Sequence, residues 1–327
     1  MVSLLVVALF GGLVFAETIT VAVGGWAVED TKRAVKDLGF TEKTGITVEV
    51  VTRPGAAPDF LSQMTSAVMA GTSPYDVIAV EDETAISMSR AGWLVPLNDL
   101  YDDEFWQDWP QGMLDMIEVW HTYDGELYRI PHNYEAQYFW YRKDILDEMG
   151  LEVPKTWEEI VEVGKRLTGD GVWGISDGLA KGAYLGVNLG YWTLQAGGNF
   201  FDLGPEFRVA LQFLHDLMYE HKIFPVAALN RDFDALNQDY MNDRVMMMRQ
   251  WPYFYDVSRS DPDWFAEDKV AITLPPAGPG GSATYAAAWG WSVPKTSAKI
   301  DAAKTFVEFM TSVESAPKLA EMSVWWL

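Results

Sequence analysis

Short runs of β-branched residues alternate with amphipathic stretches along the first quarter of the chain. The pattern predicts strands at Thr18–Val23, Ile46–Val51 and Tyr75–Val80, and helices at Val28–Lys43 and Pro58–Ala70. This strand–helix order is typical of a parallel sheet covered by helices. The first part of the chain is therefore predicted to have an α/β fold.

The remainder of the chain is richer in helical patterns. Further strands are predicted at Glu126–Pro131, Gln137–Tyr141, Val245–Met248, Val270–Leu274 and Tyr285–Val293. Further helices are predicted at Thr156–Leu167, Ala183–Ala196, Pro205–His221 and Ser297–Met310. Thr156 and Glu159 have the spacing of a capping box, which strengthens the prediction of a helix start there.

The first sixteen residues form a separate apolar segment. Met1–Ala16 contains no charged residue, Glu17 ends the segment, and the small residue Ala16 suits signal cleavage. We therefore expect residues 1–16 to be a signal peptide and the mature protein to be secreted, to the periplasm or the cell surface. The alternative is an N-terminal buried strand, because no Lys or Arg precedes the apolar run.

Charge and composition exclude several classes of function. The formal net charge of -23 argues against nucleic-acid and anionic-lipid partners, which are bound through an excess of Lys and Arg. The absence of cysteine removes disulfides, thiolate metal sites and Cys nucleophiles. The four histidines lack metal-site spacing, and no nucleophile-elbow or phosphate-loop motif is present. We therefore expect no metal, no cofactor and no catalytic residue.

Acidic residues follow several of the predicted strands. Glu29 comes after the first strand, Glu81 and Asp82 come after the third, and Glu135 lies between two later strands. In open α/β sheets ligands bind beyond the carboxyl ends of the strands. A carboxylate accepts hydrogen bonds from several hydroxyls at once, as a polyol ligand requires. Each residue alone could equally be a solvated loop carboxylate or a helix cap.

Tryptophans are the second group of candidates, since the chain contains 15 of them. Trp26, Trp251, Trp289 and Trp291 lie at predicted strand ends or in turn-rich segments. An indole offers a flat apolar face on which the C–H face of a sugar ring can stack. Core packing is the alternative for each of them.

Several segments resemble extracellular sugar-binding proteins of ABC importers, the family 1 solute-binding proteins, and in particular their trehalose/maltose-binding branch. The likeness extends from about Thr18 to Leu327, and no single motif within it is specific. Its strongest stretches are Val21–Glu29 (VAVGGWAVE), Gly71–Leu97, Glu126–Ile160, Met248–Tyr253 (MRQWPY) and Trp289–Met310.

The resemblance implies roles for individual residues. It implies that acidic side chains at Glu29, Glu81 and Glu135 hold sugar hydroxyls, that sugar rings stack on Trp251 and Trp289, and that Asn133 lines a hinge. The chain departs from the family pattern at Ala287-Ala288, where relatives carry Gly-Gly. It also has Leu61 or Ser62 where some relatives carry an Arg.

The resemblance also implies the architecture, a two-lobed periplasmic-binding-protein fold with a largely parallel sheet in each lobe. Lobe 1 is expected to contain residues 17–133 and 271–312, and lobe 2 residues 134–270. A hinge between the lobes would close on the ligand. Residues 313–327 are expected to begin a C-terminal helical segment that is truncated here, because relatives continue further.

The predicted function is therefore binding of a sugar, a di- or oligosaccharide, in an interlobe cleft and its delivery to an ABC-type permease. We expect a monomer that is not an enzyme. One alternative is a secreted glycosidase that uses two of the carboxylates. Another is a secreted adhesion or scaffold module without a small ligand.

Overall fold

The computed structural model describes residues 17–55, 57–181, 183–199, 202–266 and 268–323. They divide into two lobes, the first made of residues 17–132 and 289–322 and the second of residues 133–288 and 323. The predicted signal peptide lies outside the described residues. None of the helices within these ranges is both long enough and apolar enough to cross a membrane.

The strands are mostly short and are spread along the whole chain. They are β1 (Thr18–Val23), β2 (Thr47–Thr52), β3 (Val77–Val80), β4 (Thr122–Tyr123), β5 (Glu126–Leu127), β6 (Ile130–Pro131), β7 (Glu135–Ala136), β8 (Tyr138–Arg142), β9 (Met247–Gln250), β10 (Val270–Thr273), β11 (Ala286–Ala287) and β12 (Gly290–Ser292).

The α-helices occupy the connections between these strands and the second half of the chain. They are α1 (Val28–Asp37), α2 (Phe40–Thr44), α3 (Ala57–Ala70), α4 (Asp82–Arg90), α5 (Asp103–Trp106), α6 (Gln111–Trp120), α7 (Lys143–Glu148), α8 (Trp157–Leu167), α9 (Ala183–Gln195), α10 (Pro205–Tyr219), α11 (Phe233–Met241), α12 (Phe254–Arg259), α13 (Ile300–Thr311) and α14 (Ala316–Met322).

The first lobe is built on a five-stranded sheet in the order β2-β1-β3-β12-β6. As predicted, β1 is parallel to both β2 and β3, and the helices between these strands provide the crossovers that parallel pairs require. β12 comes from a distant part of the chain and is antiparallel to β3 and β6. The sheet is therefore mixed, and the start of β12 lies beside the carboxyl end of β3.

Helices bury this sheet. Val80 of β3 belongs to a core cluster with Phe60 of α3. Phe306 of α13 contacts Phe40 of α2 and Trp291 of β12 edge to face, with ring centroids 5.4 and 5.3 Å away. Burial of this kind explains why β3 has a continuous apolar sequence, VIAV, rather than an alternating one.

The second lobe contains the three-stranded sheet β10-β8-β9, in which both pairings are antiparallel. The prediction of a largely parallel sheet is wrong for this lobe, because these strands come from distant segments rather than from successive strand–helix–strand units. Parallel pairing occurs there as isolated bridges, at Thr156 with Ala277, at Trp173 with Val245 and at Ser176 with Met248. Successive side chains of β8 point to opposite faces of the sheet and belong to two different hydrophobic clusters, Phe139 to one and Trp140 to the other.

The predicted boundary of the lobes at residue 270 differs from the structure. Residues 271–288 lie in the second lobe, because β10 pairs with β8 and β11 pairs with β7. The helix predicted over Val28–Lys43 breaks at Gly39, which has a φ of 69°. Half of the predicted capping box is present: Thr156 Oγ1 accepts from the Glu159 N–H at 3.2 Å. The Glu159 carboxylate accepts from the N–H of Lys155, one residue before the N-cap, rather than from that of Thr156.

Candidate functional site

Four side chains meet at one edge of the first-lobe sheet. Trp26 follows β1, Arg53 follows β2, Glu81 follows β3, and Trp289 directly precedes β12. The carboxyl ends of parallel strands share one edge, and the antiparallel β12 begins at that same edge. This is the position at which open α/β sheets bind ligands. We call these four residues the strand-end cluster.

An ion pair lies at the centre of the strand-end cluster. Arg53 Nη2 donates to Glu81 Oε2 at 2.5 Å, and Thr84 Oγ1 donates to Glu81 Oε1 at 2.6 Å. The Arg53 side chain is buried, whereas one fifth of the Glu81 side chain is exposed. A carboxylate has about four acceptor positions, of which these described bonds fill two. Glu81 can therefore accept further hydrogen bonds from a ligand.

The two tryptophans of the strand-end cluster contact each other edge to face, with ring centroids 5.5 Å apart. Trp26 is 56% exposed and Trp289 is half-buried. A Cβ on Gly24 would lie 2.7 Å from Trp26 Nε1, so the glycine allows the indole to fold back over the chain. Exposed indoles beside a carboxylate provide both an apolar surface and hydroxyl acceptors, the combination that a sugar needs.

Asp82, the neighbour of Glu81, is not placed as predicted. Its side chain is fully buried and forms an ion pair with Arg129, which also donates to the Val80 carbonyl at 2.9 Å. His121 lies 4.0 Å from the same carboxylate. Burial, together with the positive charge of Arg129, holds the pKa of His121 well below its usual range. Because Asp82 is enclosed in this network, we withdraw it as a ligand contact.

Trp291 is also wrongly predicted as a ligand residue. It is fully buried in the middle of the sheet, where it pairs with Ala79 and contacts Phe306. Its ring lies 4.6 Å from the ring of His132, whose pKa burial and Arg129 lower to about 3. Trp291 is therefore a core residue.

Glu29 remains separate from the strand-end cluster in its described contacts. It lies in the first turn of α1, its side chain is 84% exposed, and its carboxylate bonds Lys32 at 2.8 Å. A carboxylate at this position also interacts favourably with the helix dipole. These contacts support the interpretation of Glu29 as a solvated carboxylate, and its role as a hydroxyl acceptor stays a prediction.

The remaining candidates lie in the second lobe. Glu135 is half-buried in β7, opposite Ala287 of β11, and Asn133 is buried two residues earlier. Trp251 directly follows β9, and its ring contacts Tyr285 edge to face at 5.9 Å. Tyr285 in turn accepts a backbone hydrogen bond from the β7–β8 connection at 3.2 Å. Tyr285 thus contacts both Trp251 and the segment that follows Glu135, and the sequence analysis missed it.

A buried charged network supports this part of the second lobe. Arg249 of β9 donates to both oxygens of Asp177, at 2.6 and 3.2 Å, and also to Gln137. Trp192 donates to the same carboxylate at 3.0 Å. Such a pair is costly to break, because either charge left alone would be buried without compensation. The network thus connects β9, which precedes Trp251, to Gln137, which lies two residues after Glu135.

Arg53 is the main residue of the strand-end cluster that the sequence analysis missed. It lies two residues after the predicted strand Ile46–Val51 and directly after β2, so the reasoning that selected Glu29 and Glu81 applies to it equally. The family resemblance instead implied an arginine on the following helix, where this chain has Leu61 or Ser62. Among the described residues, no cluster of His, Asp or Glu is suited to hold a metal ion.

Comparison with known proteins places the chain among binding proteins. The family model described as bacterial extracellular solute-binding protein matches residues 25–317. The arabinooligosaccharide-binding protein of Halalkalibacterium halodurans is 29% identical over 141 residues, which cover 40% of this chain and 31% of the relative. The mannitol-binding protein of Pseudomonas aeruginosa is 24% identical over 273 residues, which cover 76% and 59%. The chain spans less than two thirds of the length of these relatives.

Two solved structures are similar over nearly the whole chain. A maltose-bound protein of T. maritima is 26% identical with a TM-score of 0.78, and the match covers 92% of this chain and 78% of that one. A solute-binding protein of Agrobacterium vitis with bound D-mannitol is 26% identical with a TM-score of 0.75, covering 95% and 76%. These matches confirm the predicted resemblance and the two-lobed α/β fold.

Proposed function

The chain belongs to the family of bacterial extracellular solute-binding proteins, and we propose that it binds a di- or oligosaccharide and delivers it to an ABC-type permease. The names of its relatives support this class of ligand, since they include binders of arabino-oligosaccharides, maltose and mannitol. No relative reported above is named as a glycosidase, so that alternative gains no support.

The observation that carries the proposal is the strand-end cluster. Glu81 keeps acceptor positions for hydroxyls, and the half-exposed pair Trp26 and Trp289 lies at the same edge of the sheet. We propose Glu81 and Trp289 as the principal sugar contacts of the first lobe, with Trp26 beside them. In the second lobe we propose Glu135, Trp251 and Asn133, and we add Tyr285 because of its contact with Trp251.

We also propose that the protein releases its ligand chemically unchanged and acts as a monomer in the periplasm or at the cell surface. The acidic net charge of -23 supports the absence of a nucleic-acid partner, because phosphates would be repelled. The permease is proposed as the protein partner from the family alone.

A thermal-shift screen against maltose, maltotriose, D-mannitol and an arabino-oligosaccharide tests the proposal. A ligand that binds only the folded state stabilises it and so raises the melting temperature. At a ligand concentration of one hundred times Kd, the stabilisation is about 2.7 kcal/mol. We expect at least one sugar to do so. Glu81→Gln should reduce the shift, whereas the exposed control Glu118→Gln should not. Identical melting temperatures with all four sugars would contradict the proposal.

A further inference from the structure

The strand-end cluster contains a cation that is too deeply buried to meet a ligand itself. Arg53 is 2% exposed, yet its guanidinium touches both residues that we propose as principal sugar contacts of the first lobe. We propose that Arg53 is the positioning residue of the sugar site, which orients the Glu81 carboxylate and holds the Trp289 ring. This inference rests on the proposed function.

The guanidinium itself is fixed by the backbone. Nε donates to the Ala79 carbonyl and Nη1 to the Pro54 carbonyl, both at 3.0 Å. The backbone N–H of Arg53 donates to the Val23 carbonyl at 2.9 Å, which continues the pairing of β1 with β2. These bonds determine the plane of the fork, so Nη2 has a defined direction when it donates to Glu81. A lysine, with a single rotatable ammonium, cannot make this set of contacts at once.

The carboxylate is consequently held at both oxygens. Arg53 holds Oε2 and Thr84, which is buried, holds Oε1. Two bonds to different oxygens stop the carboxylate from rotating, so its remaining acceptor positions point in constant directions. A site that is fixed before the ligand arrives loses less conformational entropy on binding.

The same cation also contacts two aromatic rings. Its central carbon lies 4.6 Å from the centroid of Phe60 and 5.2 Å from that of Trp289. Both distances are within the range of cation–π attraction. Phe60 belongs to the core of the lobe, so Arg53 connects the Trp289 indole to a rigid part of the structure.

The test is a double-mutant cycle on sugar affinity, measured by calorimetric titration of the full chain with maltose, maltotriose and D-mannitol. We expect Arg53→Gln and Glu81→Gln each to weaken binding by about 10-fold to 100-fold, the range of a hydrogen bond to a charged group. The double variant should be at most about twofold weaker than the worse single variant, because both changes remove one interaction. Arg53→Lys should recover part of the loss, and the exposed control Arg90→Gln should bind like the parent.

Stability is measured in parallel by urea unfolding without sugar, because Arg53→Gln leaves two carbonyls without their donor. If Arg53→Gln does not fold, the comparison of Arg53→Lys with the parent decides, and equal affinities overturn the role of Arg53. Additive losses in the double variant overturn it as well, since they mean that Arg53 does not act through Glu81. A parent that binds neither these three probes nor the arabino-oligosaccharide of the thermal-shift screen overturns the proposed function and the role of Arg53 together. If the parent and a folded Arg53→Gln variant bind the sugar with equal affinity, the role of Arg53 alone is overturned.

Discussion

Glu81 and Asp82 are consecutive residues at the end of β3, but their carboxylates pair with different arginines. Glu81 bonds Arg53 and stays partly exposed, whereas Asp82 pairs with Arg129 and is fully buried. One carboxylate is thus available to a ligand and the other stabilises the lobe. Substitution of each by its amide should separate the two roles.

The expected results differ in kind for the two variants. Glu81→Gln should weaken sugar binding by about 1–3 kcal/mol, because it loses a charge-assisted acceptor. Asp82→Asn should lower the free energy of unfolding by about 3–5 kcal/mol, because it removes a charged partner of the buried Arg129. Titration calorimetry and urea unfolding of both variants check this. An Asp82→Asn variant that keeps its stability but loses affinity would restore Asp82 as a ligand residue.

The tryptophans allow a similar separation. Trp289→Ala should weaken sugar binding by about 1.5–3 kcal/mol, the range for removing a large apolar contact, while cooperative unfolding is retained. Trp291→Ala should instead destabilise the fold by about 3–5 kcal/mol through the cavity it leaves in the core. Affinity and unfolding are measured for both variants. Loss of cooperative unfolding in Trp289→Ala, with unchanged affinity in the protein that remains folded, would mean that Trp289 is a packing residue.

Three of the four residues of the strand-end cluster could be selected from the sequence, because strand ends are a local signal. The β-branched runs before Trp26 and Glu81 are visible without any tertiary information. The different environments of Glu81 and Asp82 cannot be seen in the local sequence, because Arg129, the partner of Asp82, lies 47 positions further along the chain. Trp289 and Trp291 likewise differ only through the neighbours that cover them, since β12 places Trp291 opposite Ala79 in the sheet interior.

Acid should destabilise the first lobe through its buried histidines. Burial and Arg129 lower the pKa of His132 to about 3, against about 6.5 in an unfolded chain. Between these values the unfolded chain binds a proton that the folded chain does not, so stability falls as the pH decreases from 6.5 towards 3. The slope is about 1.4 kcal/mol per pH unit for one group. His121, whose pKa is also lowered, acts in the same direction.

Urea unfolding of the parent and of His132→Gln at several pH values between 7 and 4 measures this effect. Carboxylates titrate in both proteins, so the difference between the two slopes isolates the histidine. We expect a smaller slope for the variant below pH 6.5, and added measurements between pH 7 and 9 should show no difference in slope between the proteins. Equal slopes throughout would mean that His132 takes up a proton in the folded lobe.

A bound oligosaccharide should be returned intact. We propose Glu81 as a hydroxyl acceptor rather than an acid or nucleophile, so no glycosidic bond should break. Prolonged incubation with maltotriose, followed by chromatography of the sugar, checks this expectation. Release of glucose or maltose in stoichiometric excess over the protein would overturn the assignment as a binding protein and support the glycosidase alternative.

Glu135 and Trp251 are the proposed sugar contacts of the second lobe, and each can be tested by substitution. Glu135→Gln retains the size of the side chain and one acceptor oxygen but loses the charge, so we expect a loss of about 1–3 kcal/mol in sugar affinity. Trp251→Ala should cost about 1.5–3 kcal/mol. The exposed Glu158→Gln in α8 is the matched control for loss of one carboxylate. If the parent binds maltose and Glu135→Gln binds it equally well, Glu135 is not a sugar contact, and the second-lobe site must be assigned to other residues.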